Sequence, residues 1–483
     1  MQLFCLRLRG LMLALAPWLV VGCDNPTAAT DSPTPETTIL PTARYAPRRD
    51  FLVIAIPEGA PTHWHAPGYP PTRSLRLYPH GPDADLVAEL RKQLNKNIFD
   101  PTDPTLLQPV QADRINRLLE VYFGTPAAPR VSLPSWETVV ATATVRLESK
   151  KSLGAILKSA QSRLRSFPWD VWYTDWHAAT AAQDQLRLDD ATLARGSVVY
   201  RRWCMQCHGP SGAGEPAHAV VNGPMPRDYR QGLFKYTRAF PPANVKKKGQ
   251  GAAGKPLRTD LARVIRNGIN GTIMPAFPTL TAQELEDVVS YVIHLSIRGE
   301  TEFATMAKIT NVGKLTEDDP DFFGGELDWL LMQNYLWVLI NWGIAAQNPI
   351  PIPPEPFTTE DERIDSAIRG FRLYQSAEFG CASCHADYGR APQLKWDAWG
   401  TIVQPRNLTV GVYRGGGRGE DLYARLYGGI VPSGMTAFHE QLKKTAAGAP
   451  DPLWDIVHFL QALGDPGDRR RMQEKDPTIR FDP

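Results

Sequence analysis

Apolar side chains recur with a helical period at two widely separated places in the chain. Leu285, Val288, Val289 and Val292 stand at i, i+3, i+4 and i+7, and Leu453, Ile456, Val457 and Leu460 repeat that spacing. Both runs predict amphipathic helices with one buried face. Their starts are marked, by the capping-box pair Thr281 and Glu284 in the first and by the N-cap Asp451 followed by Pro452 in the second. Farther upstream Ile115, Leu118, Leu119 and Tyr122 give helical period to Asp113–Phe123, whereas Phe51–Ile56 is a short apolar run of the strand type. The stretch Asp328–Gln347 is apolar, but Asp328, Gln333, Asn334, Asn341 and Gln347 interrupt it. Such groups are costly in lipid, so a buried or docking helix is predicted rather than a membrane span. Pro349–Pro356 carries five prolines and predicts a stiff, extended linker.

The pattern is duplicated. Shifting the chain by 161 residues places Asp260–Phe277 on Asp421–Phe438, matching Gly268-Ile269 with Gly429-Ile430 and Met274-Pro275-Ala276-Phe277 with Met435-Thr436-Ala437-Phe438. Upstream, Pro226-Arg227-Asp228 corresponds to Pro405-Arg406-Asn407, and Gly232-Leu233-Phe234-Lys235 to Gly411-Val412-Tyr413-Arg414. Gly196 with Tyr200, and Gly370 with Tyr374, lie four apart and therefore on one face of a preceding helix. A glycine there permits a close helix crossing, and Tyr291 and Phe459 are the aromatics expected against the two tyrosines.

Each repeat contains a Cys-X-X-Cys-His pentapeptide, Cys204-Met205-Gln206-Cys207-His208 and Cys381-Ala382-Ser383-Cys384-His385. That spacing is how a c-type haem is attached: two thiols on one helical turn form thioethers with the porphyrin while the adjoining imidazole rises to the iron. A zinc or redox dithiol shares the cysteine spacing but does not need the histidine. Two covalently bound haem c groups are expected, with His208 and His385 as proximal ligands.

The ordered set of a Gly/aromatic helix, Cys-X-X-Cys-His, a methionine loop and a C-terminal helix resembles the class I cytochrome c family over about 189–299 and 362–464. The resemblance implies a mainly α fold with two cytochrome c-like helical haem domains in tandem, preceded by a haemless, mostly helical region. It also implies a distal methionine in each. Met435 is the one methionine between His385 and the end of its C-terminal helix, and Met274 is the one that aligns with it, so these two are the expected axial ligands. Met225, His218 and His439 are the competing candidates. Gly223-Pro224 resembles the family segment whose carbonyl holds the proximal histidine, so Pro224 is expected beside His208, with no clear counterpart beside His385. Arg227 and Arg406 are candidates for haem propionates or for plain exposure.

Residues 1–22 have Arg7 and Arg9 before a short apolar run, Leu11 to Val21, as in a signal peptide. Val20-Val21-Gly22-Cys23 looks like a bacterial lipobox, which makes Cys23 an expected lipid attachment site; an ordinary signal peptide with an incidental cysteine is the alternative. With Cys5 removed and four cysteines committed to haem, the six cysteines leave none for a disulfide. Residues 24–50, rich in Thr, Pro, Ala and Asp, predict a disordered tether with a reach on the order of 30 Å. The expected organisation is therefore a signal peptide 1–22, a lipidated tether 23–50, a haemless region 51–188, haem units 189–300 and 362–464 joined by a helical connector 301–361, and a charged tail 465–483. His63, His65 and His80 lack a recognised ligand spacing and are expected in loops. A net charge of +2 and the lack of a basic groove interleaved with aromatics argue against nucleic acid. Lys246, Lys247 and Lys248 lie in a stretch found in the first unit alone, a candidate docking loop or a solvated one.

Paired methionine loops favour an electron carrier, working outside the bacterial cytoplasm with redox protein partners and anchored to the membrane by Cys23, as a subunit or satellite of an oxidoreductase complex. A dihaem peroxidase and a haem-based sensor are the alternatives.

Overall fold

The computed structural model describes residues 52–55, 74–77, 109–149, 168–214, 226–240, 254–312, 325–391, 395–396, 402–445 and 448–481. Cys23 and its tether, the His63, His65 and His80 group, His218, Pro224, Met225 and Lys246–Lys248 lie outside them. The chain is mainly helical. Strands β1 (Leu52–Ala55) and β2 (Ser74–Leu77) pair antiparallel, with Leu52 opposite Leu77. Helices α1 (Pro109–Phe123), α2 (Trp136–Ser149) and α3 (Trp169–Gln185) follow, then α4 (Asp190–Trp203), the single turn α5 (Met205–His208), α6 (Arg258–Asn267), α7 (Ala282–Val312) and α8 (Leu327–Gln347). The remainder holds α9 (Glu360–Gln375), the turn α10 (Cys381–Cys384), a two-residue antiparallel ladder of β3 (Lys395–Trp396) with β4 (Ile402–Val403), and α11 (Gly419–Gly428), α12 (Pro452–Gly464) and α13 (Pro466–Lys475).

The caps act as read from the sequence. Thr281 Oγ1 accepts from Glu284 N at 3.1 Å while Glu284 returns a carboxylate to Thr281 N at 2.8 Å. Asp451 accepts from Leu453 N at 2.8 Å, and Asp189 caps α4 through Thr192 N at 2.9 Å. These contacts satisfy amide groups that the first turn leaves without an intrahelical partner.

Two helix pairs organise the molecule, α4 against α7 and α9 against α12. A Cβ on Gly196 would stand 2.1 Å from Asp287 O, and one on Gly370 would stand 2.0 Å from Asp455 O. Only a residue without a side chain fits either crossing. Beside each glycine an arginine grips the facing helix through both carboxylate oxygens, Arg195 on Asp287 (2.8 and 3.0 Å) and Arg369 on Asp455 (3.0 and 2.7 Å). The expected aromatic pairs are in place: Tyr200 and Tyr291 have ring centroids 5.2 Å apart at 56°, Tyr374 and Phe459 5.2 Å apart at 58°. The two crossings are the same structure built twice.

Helices α1, α2 and α3 do not form a core of their own. Their buried Ile115, Leu119, Phe123, Val139 and Ala179 belong to one continuous apolar cluster with Tyr200, Val288, Tyr291 and the residues of α8. α8 is buried around most of its circumference, with Trp329 4.7 Å from Trp172 and Tyr335 4.9 Å from Phe123. Its Asn334, a polar group that lipid would leave stranded, donates to Thr305 Oγ1 at 3.1 Å. Among the described residues no helix is long and apolar enough to cross a membrane.

A second cluster spans 364–481 and takes in α9, α11, α12 and the chain's last residues. Met472 and Ile479 are fully buried, Tyr388 Oη donates to Arg480 O at 2.7 Å, and the charged tail thus carries a packed helix. The proline linker is fastened at both ends: Ile350 N donates to Arg238 O (2.7 Å), and Glu355 meets Arg363 (2.7 Å) and His458 (3.1 Å).

Candidate haem sites

Cys204, Cys207 and His208 lie on the turn that leaves α4, where His208 N donates to Cys204 O at 2.9 Å. Cys381, Cys384 and His385 lie on the matching turn after α9, closed by His385 N on Cys381 O at 2.9 Å. In each motif the first cysteine is packed against an apolar cluster. Burial pushes the Cys204 thiol up to about 12 and the Cys381 thiol up to about 11. None of the four motif cysteines is in a disulfide, as thioether formation requires.

The histidines are oriented by identical contacts. Nδ1 of His208 is 3.1 Å from Arg227 O, and Nδ1 of His385 is 3.1 Å from Arg406 O. A ring that donates from Nδ1 to a carbonyl keeps the Nε2 lone pair for a metal. Desolvation, only partly offset by the Arg227 carbonyl, lowers His208 to about 4, so the ring is neutral and ligand-ready at physiological pH. The carbonyl beside His208 is that of Arg227, in the segment Pro226–Asp228, and the expected Pro224 lies outside the described residues. One expectation is corrected. His385 does have a counterpart, supplied by the aligned Arg406. The tyrosine on each leading helix braces the same turn, Tyr200 Oη donating to Gly209 O (2.8 Å) and Tyr374 Oη to His385 O (2.7 Å).

The methionine loops coincide as closely. Gly268 and Gly429 end α6 and α11 at φ 67° and 70°, a region that favours glycine, and a Cβ there would meet Met274 O at 2.7 Å and Met435 O at 2.6 Å. Ile269 N donates to Met274 O and Ile430 N to Met435 O, both at 3.1 Å. Phe277 N and Phe438 N tie the far ends of the loops back to Ile265 O and Leu426 O at 3.0 and 2.9 Å. Both methionines are half-buried rather than core residues, which leaves the thioethers for ligation. His439 is engaged elsewhere, with Glu440 at 3.0 Å and against the Phe240 ring at 4.5 Å. Among the described residues no group of three or more His, Cys, Asp or Glu is placed to hold a metal ion.

Residues 191–292 match the family described as cytochrome C oxidase, cbb3-type, subunit III. They form a c-type cytochrome domain. No curated protein matches the chain. Among solved structures, a chain of the Kuenenia stuttgartiensis reducing HAO-like protein complex is similar at 20% identity with a TM-score of 0.36, over 56% of this chain and 96% of that one. The cytochrome domain brings covalent haem c and electron transfer with it, and its free thiols, neutral histidine and half-buried thioether fit that group.

Tyr229 is a site residue that no motif marks. Its ring lies 4.9 Å from His208 and its hydroxyl 3.1 Å from that of Tyr200, so it walls the proximal side. The available signal was its place directly after Pro226-Arg227-Asp228, in the segment that reaches the histidine.

Proposed function

We propose that the chain is a dihaem c-type cytochrome that passes single electrons between redox protein partners of the bacterial envelope, held to the membrane by a lipidated Cys23. The observation that carries the reading is the 3.1 Å contact from histidine to carbonyl, repeated at His208 and His385 together with the braced loops of Met274 and Met435. Haem c, when bound, supplies reversible one-electron exchange at iron. Cys204, Cys207, Cys381 and Cys384 would fix it by thioethers, and Arg227 O and Arg406 O hold the two imidazoles in the orientation that axial ligation needs. Met274 and Met435 would supply thioether ligands, and such ligation would favour the reduced state and leave no position for an exogenous ligand, as suits a carrier rather than a peroxide-consuming centre.

Pyridine haemochrome assay combined with intact mass should return two haems per chain, and both ferrous haems should give low-spin spectra unaltered by carbon monoxide. One haem per chain, ready carbon monoxide binding or substantial peroxide turnover by the pre-reduced protein would overturn the reading. Mass spectrometry of the N-terminal peptide should find Cys23 as the first residue, carrying the mass of a diacylglyceryl group.

A further inference from the structure

The two halves meet along a seam whose symmetry follows from the repeat. Tyr236 comes directly after Gly232–Lys235 and Gly415 directly after Gly411–Arg414, so the two positions are equivalent. They also touch: a Cβ on Gly415 would lie 2.5 Å from Cγ of Tyr236. Contact between equivalent positions marks an approximate two-fold axis, and beside such an axis one of the two residues has to be small. Both methionine loops also reach across the seam. Gly271 O, in the first loop, accepts from Arg414 Nη2 at 3.3 Å, while its counterpart Pro432 packs at Gly254 of the first half.

The charge on this seam is unbalanced. Arg227 of the first half and Arg406, Arg414 and Arg425 of the second all act on Tyr236. Arg406 Nε donates to Val412 O at 2.9 Å, Arg414 to Gly271 O, and Arg425, 9% exposed with its guanidinium 5.8 Å above the Tyr236 ring, to Gly416 O. The Nε of Arg414 is buried with no partner. The hydrogen bonds of these three second-half arginines thus go to backbone carbonyls, which carry no net charge. The nearby carboxylates Asp260 and Asp421 are already taken up by Arg238, Arg263 and Arg418. Like charges drawn together, one of them buried and the others half-buried, call for an anion. Arg227 and Arg406 are also the residues whose carbonyls hold the two proximal histidines, so that anion belongs beside both haem sites at once.

We propose that the seam is one shared carboxylate site, in which the propionates of both haems pair with Arg227, Arg406, Arg414 and Arg425 around Tyr236, so that the two redox centres respond to a common cluster of charge. Guanidinium is the group whose planar fork matches a carboxylate's two oxygens. The inference rests on the dihaem reading and goes beyond it, since two haems in independent pockets would satisfy that reading without a shared site.

The test is redox titration of the full-length, haem-loaded protein, followed optically, for the natural chain and the variants Arg414→Gln, Arg425→Gln and Arg425→Lys. A cation close to both centres stabilises the less positive, reduced state of each. Arg414→Gln is therefore expected to move both one-electron waves to lower potential, Arg425→Gln to do the same, and Arg425→Lys to leave both near their natural values. A shift of one wave alone, no shift, or a lysine variant that behaves like the glutamine one would overturn the shared site while leaving the dihaem reading intact. Half-buried Arg414 keeps the test valid if Arg425→Gln does not fold. One haem per chain would overturn both.

Discussion

Met274 and Met435 are held by matching backbone contacts and are half-buried between exposed neighbours, neither lost in a core nor free in water, which is what an iron ligand needs. Each alanine variant should open a single haem. Met274→Ala and Met435→Ala are each expected to let carbon monoxide bind about half of the ferrous haem and to lower one reduction potential, because a soft thioether is lost from one iron only. A difference spectrum unchanged from the natural protein would remove that methionine from the ligand set. The two bracing tyrosines work by a smaller effect. Tyr200→Phe or Tyr374→Phe removes one of two donors from the carbonyl of Gly209 or His385, which keeps Gly212 N at 3.3 Å or Gly389 N at 3.1 Å, a cost of about 1 kcal/mol that urea unfolding would register. Cysteines, histidines and methionines were legible in the sequence because their chemistry lies in the residue type and the repeat fixes their spacing. The acceptors Arg227 O and Arg406 O were not. Every residue has a backbone carbonyl, so nothing in residue type distinguishes the one that faces the ring.

At the scale of elements, the helix crossings were the best-determined feature. Gly196 and Gly370 each stand a turn before a buried tyrosine, and the facing helices carry Asp287 and Asp455 at the same register. Adding one methyl group would force the helices apart against a backbone carbonyl that cannot turn aside. Gly196→Ala and Gly370→Ala should each cost roughly 3 kcal/mol, at the upper end of the usual range for overpacking, because the clash is with main chain and not with a flexible side chain. Thermal unfolding followed by circular dichroism would measure it, and a loss below ~1 kcal/mol would mean that the helices can separate freely. What periodicity left open was partnership. The amphipathic face of Asp113–Phe123 shows that α1 buries Ile115 and Leu119, but not that it buries them against α7 and α8, because contacts between segments so far apart in sequence leave no local pattern. The seam was hidden for a related reason. Its central pair, Tyr236 and Gly415, is the one place where equivalence in the repeat requires the residues to differ.

For the molecule as a whole, the two large apolar cores are expected to unfold as two cooperative units whose acid responses differ. The first core holds His294, fully buried among Phe123 and Tyr291 at the junction of the haemless helices with the cytochrome domain. Desolvation, with Arg298 adding to it, lowers this imidazole to about 3, far below its ordinary 6.5. The native state therefore keeps His294 neutral while the unfolded chain takes up a proton as pH falls below about 6.5. Stability held above that pH is lost below it, by at most ~1.4 kcal/mol per unit, and the loss continues until the folded value is reached. In the second core His458 is also lowered by burial, but the Glu355 carboxylate 3.1 Å from Nε2 opposes the shift and shortens the window. Haem-bound His208 and His385 do not enter, since ligation to iron removes them from titration. Between pH 6.5 and 5, where most carboxylates remain ionised, calorimetry should show the unfolding of the first core moving to lower temperature faster than that of the second. His294→Gln should flatten the first response and leave the second unchanged. If both transitions fell in parallel and the variant altered neither, the two cores would be a single unit, and the helices that carry no haem would be bound to the second half as firmly as to the first.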